Sequence, residues 1–324
     1  MASNAQPIPS EMRAAAFDHF GNPDVVHTEI VPVPKLGKTD VLVRVASAGV
    51  GTWDPYLVNG SFQDVKVRFP RVVGSDGAGT VVAVGRSVKR FSVGDRVYGW
   101  GFGNPKGGFY AEYAAIKERD LAPIPASLSF DEAGALAVAG ITAMQGLEHL
   151  GLEAGDRVVI FGASGGLGHI AVQLAKILGL RVFAVASKED GVELDRQLGA
   201  DEVAEGHSRS LQRQLREFAP DGFDGALVFT GANGWKRELQ LVKKGGGVAY
   251  PDGVEPAPTI PRGRKRTMYD GEDSADAFAR LNELIQQGAF HIAISKIYPL
   301  DATAQALRDV QRHHVGKLAI KIAS

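Results

Sequence analysis

Two rhythms of apolar and polar residues divide the chain. Up to about residue 121, short runs rich in Val, Ala and Ile stand between Gly, Pro and Asp turns, at 13–17, 41–48, 79–84, 95–99 and 111–116. Runs of that length with such boundaries predict the strands of a β-rich, barrel-like domain. Pro123 and Pro125 then mark a connection, and Ser129 with Glu132 forms the S-x-x-E pattern that opens a helix. Beyond it the pattern becomes strand and helix in alternation: strands at 157–161, 181–186 and 225–229, helices at 168–178, 192–198 and 211–218. That alternation predicts right-handed βαβ units on a doubly wound parallel sheet. Val158-Val159-Ile160-Phe161 is apolar at every position, as a central strand buried on both faces requires. The chain closes with an amphipathic helix at 275–287, a strand at 296–299, a helix at 302–311 and a strand at 317–322.

Composition narrows the function. The 324 residues exceed one ordinary domain of roughly 100–200, so two domains are expected, with their parts at 1–125, 126–271 and 272–324. With 36 basic and 37 acidic residues the formal charge is -1, so no global field draws the chain to nucleic acid or anionic lipid. The cysteine count of 0 excludes disulfides, thiolate nucleophiles and sulfur-ligated zinc. No apolar run approaches the ~20 residues of a membrane helix, and the first ten residues lack the features of a secretory leader, so a cytoplasmic protein is expected.

The chemistry concentrates at Gly162-Ala163-Ser164-Gly165-Gly166-Leu167-Gly168, between the strand ending at Phe161 and the helical run Ile170-Ala171-Val172. A strand that ends in a glycine turn and opens into a helix brings backbone N–H groups and a helix dipole onto a pyrophosphate. Dinucleotide binding is therefore expected at Ala163, Ser164, Gly165, Gly166, Leu167 and Gly168, with a side chain at 165 or 168 obstructing either the ligand or the helix. The next strand ends in Ala186-Ser187-Lys188 with no carboxylate at 186 or 187. A hydroxyl and a cation there favour a 2′-phosphate, hence NADP, with Ser187 and Lys188 as its contacts.

Several separated segments resemble the medium-chain dehydrogenase/reductase superfamily: Gly74-Ser75-Asp76-Gly77-Ala78-Gly79, Gly94-Asp95-Arg96-Val97-Tyr98-Gly99, Gly107-Gly108-Phe109-Tyr110, the glycine turn, Gly199-Ala200-Asp201-Glu202-Val203 and Gly316-Lys317-Leu318. The G-S-D-x-A-G form resembles the zinc-free quinone oxidoreductase branch. Zinc-dependent members carry G-H-E where this chain has Ser75 and Asp76, and a catalytic cysteine near Gly51. The resemblance implies a GroES-like β-barrel catalytic domain around a Rossmann domain, a cleft between them and a homodimer. It adds Thr142, Thr230 and Tyr250 to the expected cofactor contacts. Two departures stand out: Gly51 replaces an asparagine usual near the nicotinamide, and Gly206 replaces a tyrosine usual near the 2′-phosphate.

Without metal, reduction proceeds by direct hydride transfer to a quinone or a small α,β-unsaturated carbonyl, whose product anion is stabilised by delocalisation. Tyr56 and Thr52 are the candidate catalytic residues, Tyr56 as a hydrogen-bond or proton donor to the developing oxyanion. Trp53 and Tyr250 are expected to line the cleft beside them. His169 reads as a spacer at the helix start. His313-His314 lacks the spacing and the third ligand of a metal site, and the basic run 262–266 reads as a solvated loop. Two alternatives remain open at this point: a 2-enoyl-thioester reductase using that basic run, and a low-turnover NADPH-binding regulatory or RNA-binding protein.

Overall fold

The computed structural model describes residues 7–62, 68–231 and 234–322. The chain divides into two compact units. The first comprises Met1–Val138, Asp273–Ala279 and Ile294–Ser324. It begins with β1 (Glu11–Phe17), β2 (His27–Pro32), β3 (Asp40–Val50), α1 (Asp54–Val58), β4 (Arg71–Val72), β5 (Asp76–Val84), β6 (Arg96–Trp100), β7 (Tyr113–Lys117), β8 (Leu121–Pro123) and α2 (Phe130–Gly134). The second comprises Ala139–Glu272 and Arg280–Ala293. It holds most of α3 (Ala137–Leu150), then β9 (Arg157–Phe161), α4 (Gly168–Ile177), β10 (Arg181–Ala186), α5 (Glu189–Gln197), β11 (Glu202–Glu205), α6 (Leu211–Phe218), β12 (Phe223–Val228), β13 (Val242–Pro251) and β14 (Lys265–Tyr269). The chain then runs through α7 (Ala275–Ile285), β15 (Ile294–Pro299), α8 (Thr303–Asp309) and β16 (Lys317–Lys321).

In the first unit β3 is the spine. It pairs antiparallel with β5, β7 and β16, and β15 runs parallel to β16 at the sheet's end. Val41, Val43 and Val45 of β3 point into one core with Val81, Val97, Ile116, Leu121 and Ile320, and Leu42 on the other face is buried too, so the strand is covered on both sides over much of its length. Ser129 accepts from the Glu132 amide while the Glu132 side chain accepts from the Ser129 amide, so the expected capping box is formed at α2.

In the second unit the sheet order is β11-β10-β9-β12-β13-β14, with every pairing parallel. In chain order within the unit this is 3-2-1-4-5-6, the doubly wound arrangement whose ligand crevice lies where the order reverses, at the carboxyl ends of β9 and β12. The glycine turn sits at the end of β9.

Three sequence expectations are corrected. The run 262–266 is not all loop: Lys265 and Arg266 open β14, drawn into the sheet because β13 offers a free edge that runs from Gly247 to Pro251. The segment 272–324 is not one return to the first unit, because Arg280–Ala293 belongs with the second. Arg280 pairs with Glu148 at 2.9 Å, and the Gln173 amide exchanges two hydrogen bonds with the His291 backbone at 2.9 and 3.0 Å. Finally, β2 and β8 form where no strand was expected. Among the described residues no helix is long and apolar enough to cross a membrane.

Candidate active site

The nucleotide turn is built by close backbone approach. Gly162 adopts φ 77°, in the left-handed region that favours glycine, and leaves β9 beside Thr230. A Cβ at Gly168 would lie 2.1 Å from the Gly162 carbonyl oxygen, so that glycine lets α4 pack directly on the turn. A Cβ at Gly165 would meet only the Gly162 carbonyl oxygen, at an ordinary contact distance of 3.4 Å, so the protein's own packing does not require a glycine there. The two therefore do different work: Gly168 is required by the protein's own packing, and Gly165 leaves room for a ligand. No side chain caps α4 at Leu167; the His169 amide in its first turn donates to the Gly165 carbonyl at 3.1 Å, and the positive end of this ten-residue helix opens on the glycine turn. His169 is buried and turns its Nδ1 to the Gly165 carbonyl 2.9 Å away, bracing the turn as a spacer would.

Ser164 is buried, and its Oγ occupies the space against Gly191 of α5, where a Cβ would come within 2.4 Å. Its side chain thus joins α5 to the turn, which leaves its backbone for any phosphate. Ser187 and Lys188 lie exposed past β10, with Lys188 at the N-cap of α5. Thr142 is buried on α3, where its carbonyl accepts from the Tyr269 hydroxyl at 3.0 Å. Tyr250 departs from expectation. It is buried in the core of the second unit with its hydroxyl taking a hydrogen bond from Arg266 Nε at 2.6 Å, because β13 turns this residue inward.

Sequence reasoning missed Trp235. It sits at φ 49°, donates from Nε1 to the Thr230 carbonyl at 2.7 Å and stacks on Phe161 with ring centroids 4.4 Å apart. Its ring lies 3.1 Å from where a Cβ on Gly206 would stand. The only sequence signal was the bare glycine at 206.

In the first unit the candidate residues surround a buried polar cluster. Asp54, at the start of α1, is fully buried; its carboxylate accepts from the Gly51 amide at 2.9 Å, from Tyr110 at 2.7 Å and from Ser75 Oγ at 2.5 Å. Burial pushes its pKa up, against the pull of those three donors. Asp76 accepts from the Val138 amide at 2.6 Å, and its other oxygen lies 3.7 Å from the ammonium of Lys317, itself 3% exposed. Burial raises Asp76 to about 6, with Lys317 opposing the shift. The same ammonium stands 5.2 Å from the Trp53 ring centroid. Around this cluster Thr52 is exposed, its carbonyl held by Gln311 Nε2 at 2.9 Å, and Tyr56 is 47% exposed on α1. The structure thus gathers Thr52, Trp53 and Tyr56 on one short segment, while Tyr250 is committed elsewhere.

The chain matches the family described as "Alcohol dehydrogenase GroES-like domain" over residues 37–126 and that described as "Zinc-binding dehydrogenase" over residues 166–258. The second name implies a metal, and the residues here do not fit one. Cysteine is absent, both oxygens of the Asp54 carboxylate already accept hydrogen bonds, and the space beside Gly51 is filled by Trp53. Among the described residues no cluster of three or more His, Asp or Glu could hold an ion.

A 2-methylene-furan-3-one reductase of Solanum lycopersicum is 35% identical over 87% of this chain and 71% of its own length. The quinone oxidoreductase of Mus musculus is 31% identical over 92% and 94%. An NADPH-dependent alkenal/one oxidoreductase, chloroplastic, of Arabidopsis thaliana is 30% identical over 97% and 80%. Among solved structures, the quinone oxidoreductase from Coxiella burnetii superposes with a TM-score of 0.82 at 27% identity, covering 97% of this chain and 100% of that one. On the sheet order, the glycine turn and these relatives together, the chain belongs to the medium-chain dehydrogenase/reductase superfamily, in its quinone oxidoreductase branch.

Proposed function

We propose that the chain is an NADPH-dependent reductase of quinones and small α,β-unsaturated carbonyls that works without zinc, as a cytoplasmic homodimer. The observation that carries this reading is the agreement of the three relatives. Each is named for a quinone, an enone or an alkenal, and all of these hold a C=C bond conjugated with a carbonyl.

The bound cofactor would supply a hydride. The chain's own residues do the rest. The positive N-terminal end of α4 and the room beside Gly165 suit the pyrophosphate, and Ser187 with Lys188 suits the 2′-phosphate. The Tyr56 hydroxyl is exposed enough to donate to an oxyanion as it develops, and Gln311 fixes the Thr52 backbone next to it. A conjugated acceptor spreads the incoming charge, so one such donor is sufficient where a plain ketone needs a Lewis acid.

The test is NADPH oxidation against a quinone, an enone and an enoyl-CoA in parallel, with NADH as the control cofactor. Turnover of the quinone or the enone is expected. Turnover of the enoyl-CoA alone would move the reading to a thioester reductase, and NADPH binding without turnover of any of the three would reject it. Size-exclusion chromatography with light scattering checks the dimer.

A further inference from the structure

We infer that Trp53 sets the size of acceptor that the first unit admits, and this rests on the reading just proposed. A Cβ on Gly51 would fall 2.2 Å from Trp53 Cε2 and 2.4 Å from Cζ2, well inside contact distance. The volume of a side chain at position 51 is therefore occupied by the six-membered half of the Trp53 indole, and the two positions cannot both be large. The glycine is also pinned: its amide donates to the buried Asp54 carboxylate at 2.9 Å, so the backbone cannot move aside.

The indole is held from a second side. The Lys317 ammonium stands 5.2 Å from its centroid and 3.7 Å from Asp76, a buried cation facing both a π cloud and a carboxylate. The Trp53 carbonyl accepts from the Leu57 amide at 3.0 Å, which ties the residue to α1. An aromatic ring with its volume, its backbone and its flat face all fixed is a wall and not a flexible cover. It lies between exposed Thr52 and Tyr56, on the segment that carries both candidate catalytic residues. Its Nε1 is buried without a hydrogen-bond partner among the described residues, so the wall adds bulk on this side and no polar tether. Small planar acceptors fit beside such a wall, and polycyclic ones meet it.

Trp53→Ala opens that volume. Steady-state rates with methyl vinyl ketone, 1,4-benzoquinone and 9,10-phenanthrenequinone should show kcat/KM for the polycyclic quinone rising at least tenfold relative to the two small acceptors. The gain should lie in KM for the quinone, with KM for NADPH unchanged. Equal factors for all three acceptors would overturn the inference. A second measurement needs no turnover. Gly51→Ala should lower the melting temperature, and Gly51→Ala combined with Trp53→Ala should recover most of that loss. Absence of recovery would mean the two positions do not share the volume, which also overturns the inference. A chain that reduced none of the acceptors would reject the proposed function, and the thermal pair would still decide whether Trp53 fills the space over Gly51.

Discussion

Lys188 carries the sharpest prediction available to a single side chain. It is exposed at the N-cap of α5, past a strand that ends without a carboxylate. A hydrogen bond to a charged group contributes ~1.5–3 kcal/mol, so Lys188→Ala should weaken NADPH roughly ten- to a hundredfold and leave NADH nearly unchanged. Fluorescence titration with both cofactors reads this, and equal loss for both would place the 2′-phosphate elsewhere. A second residue bears on stability. Gly191, Leu194, Asp195 and Leu198 share the buried spacing of one helix face, and Asp195 is the acid among them, with neither oxygen partnered among the described residues. Burial pushes its pKa up to about 8 from an ordinary 3.8. Between those values the folded state keeps a proton that the unfolded state has lost, so stability falls as pH rises, by at most ~1.4 kcal/mol per pH unit. Asp195→Asn should therefore gain on the wild type between pH 5 and pH 8 in denaturant unfolding. A gap that stays constant with pH would mean the acid is ionised in the fold.

Among the elements, the turn between β9 and α4 separates packing from binding within four residues. Gly165→Val should remove NADPH binding and leave the melting temperature within a few degrees, since a Cβ there makes no contact tighter than an ordinary 3.4 Å. Gly168→Ala should instead destabilise the protein by ~1–3 kcal/mol or more, because its Cβ meets backbone oxygen. Thermal melts alongside titrations distinguish them, and identical behaviour of the two variants would contradict the geometry. The second unit was the more legible in the sequence: 157–161, 181–186 and 211–218 are strand and helix as their periodicity implies. β14 escaped because Lys265 and Arg266 carry an edge strand's charge, which hides the strand pattern. Tyr250 was misplaced because a strand's end does not reveal which way its last aromatic turns. Ser75, Asp76 and Gly51 could be read as a departure from a metal site, but the polar cluster there draws Tyr110 from the bend before β7 and Lys317 from the start of β16, both distant in sequence, and Trp53 hid its part behind a glycine. Gly206 and Trp235 show a like pairing in the second unit, there with the glycine and the indole on separate segments.

For the molecule as a whole, Asp54 is engaged by three donors and Asp76 faces an ammonium, and among the described residues no group of three or more His, Asp or Glu could hold an ion. Metal analysis of the purified protein should find zinc well below one equivalent, with activity unchanged by a chelator; stoichiometric zinc lost together with activity would refute this. The position of β16 bears on something else. It lies between β15 and β3, pairing Leu318 with Val50 and Ile320 with Ala48. On the ribosome β3 emerges more than 260 residues ahead of this partner, so the Ser47–Val50 end of its edge, beyond the part that β7 covers, stays open while the nucleotide-binding unit, whose main segment lies entirely between them, is already able to assemble. Synthesis thus exposes an adhesive strand for most of translation. Nascent chains arrested before residue 317 should bind holdase chaperones and aggregate when released, and chains carrying β16 should not.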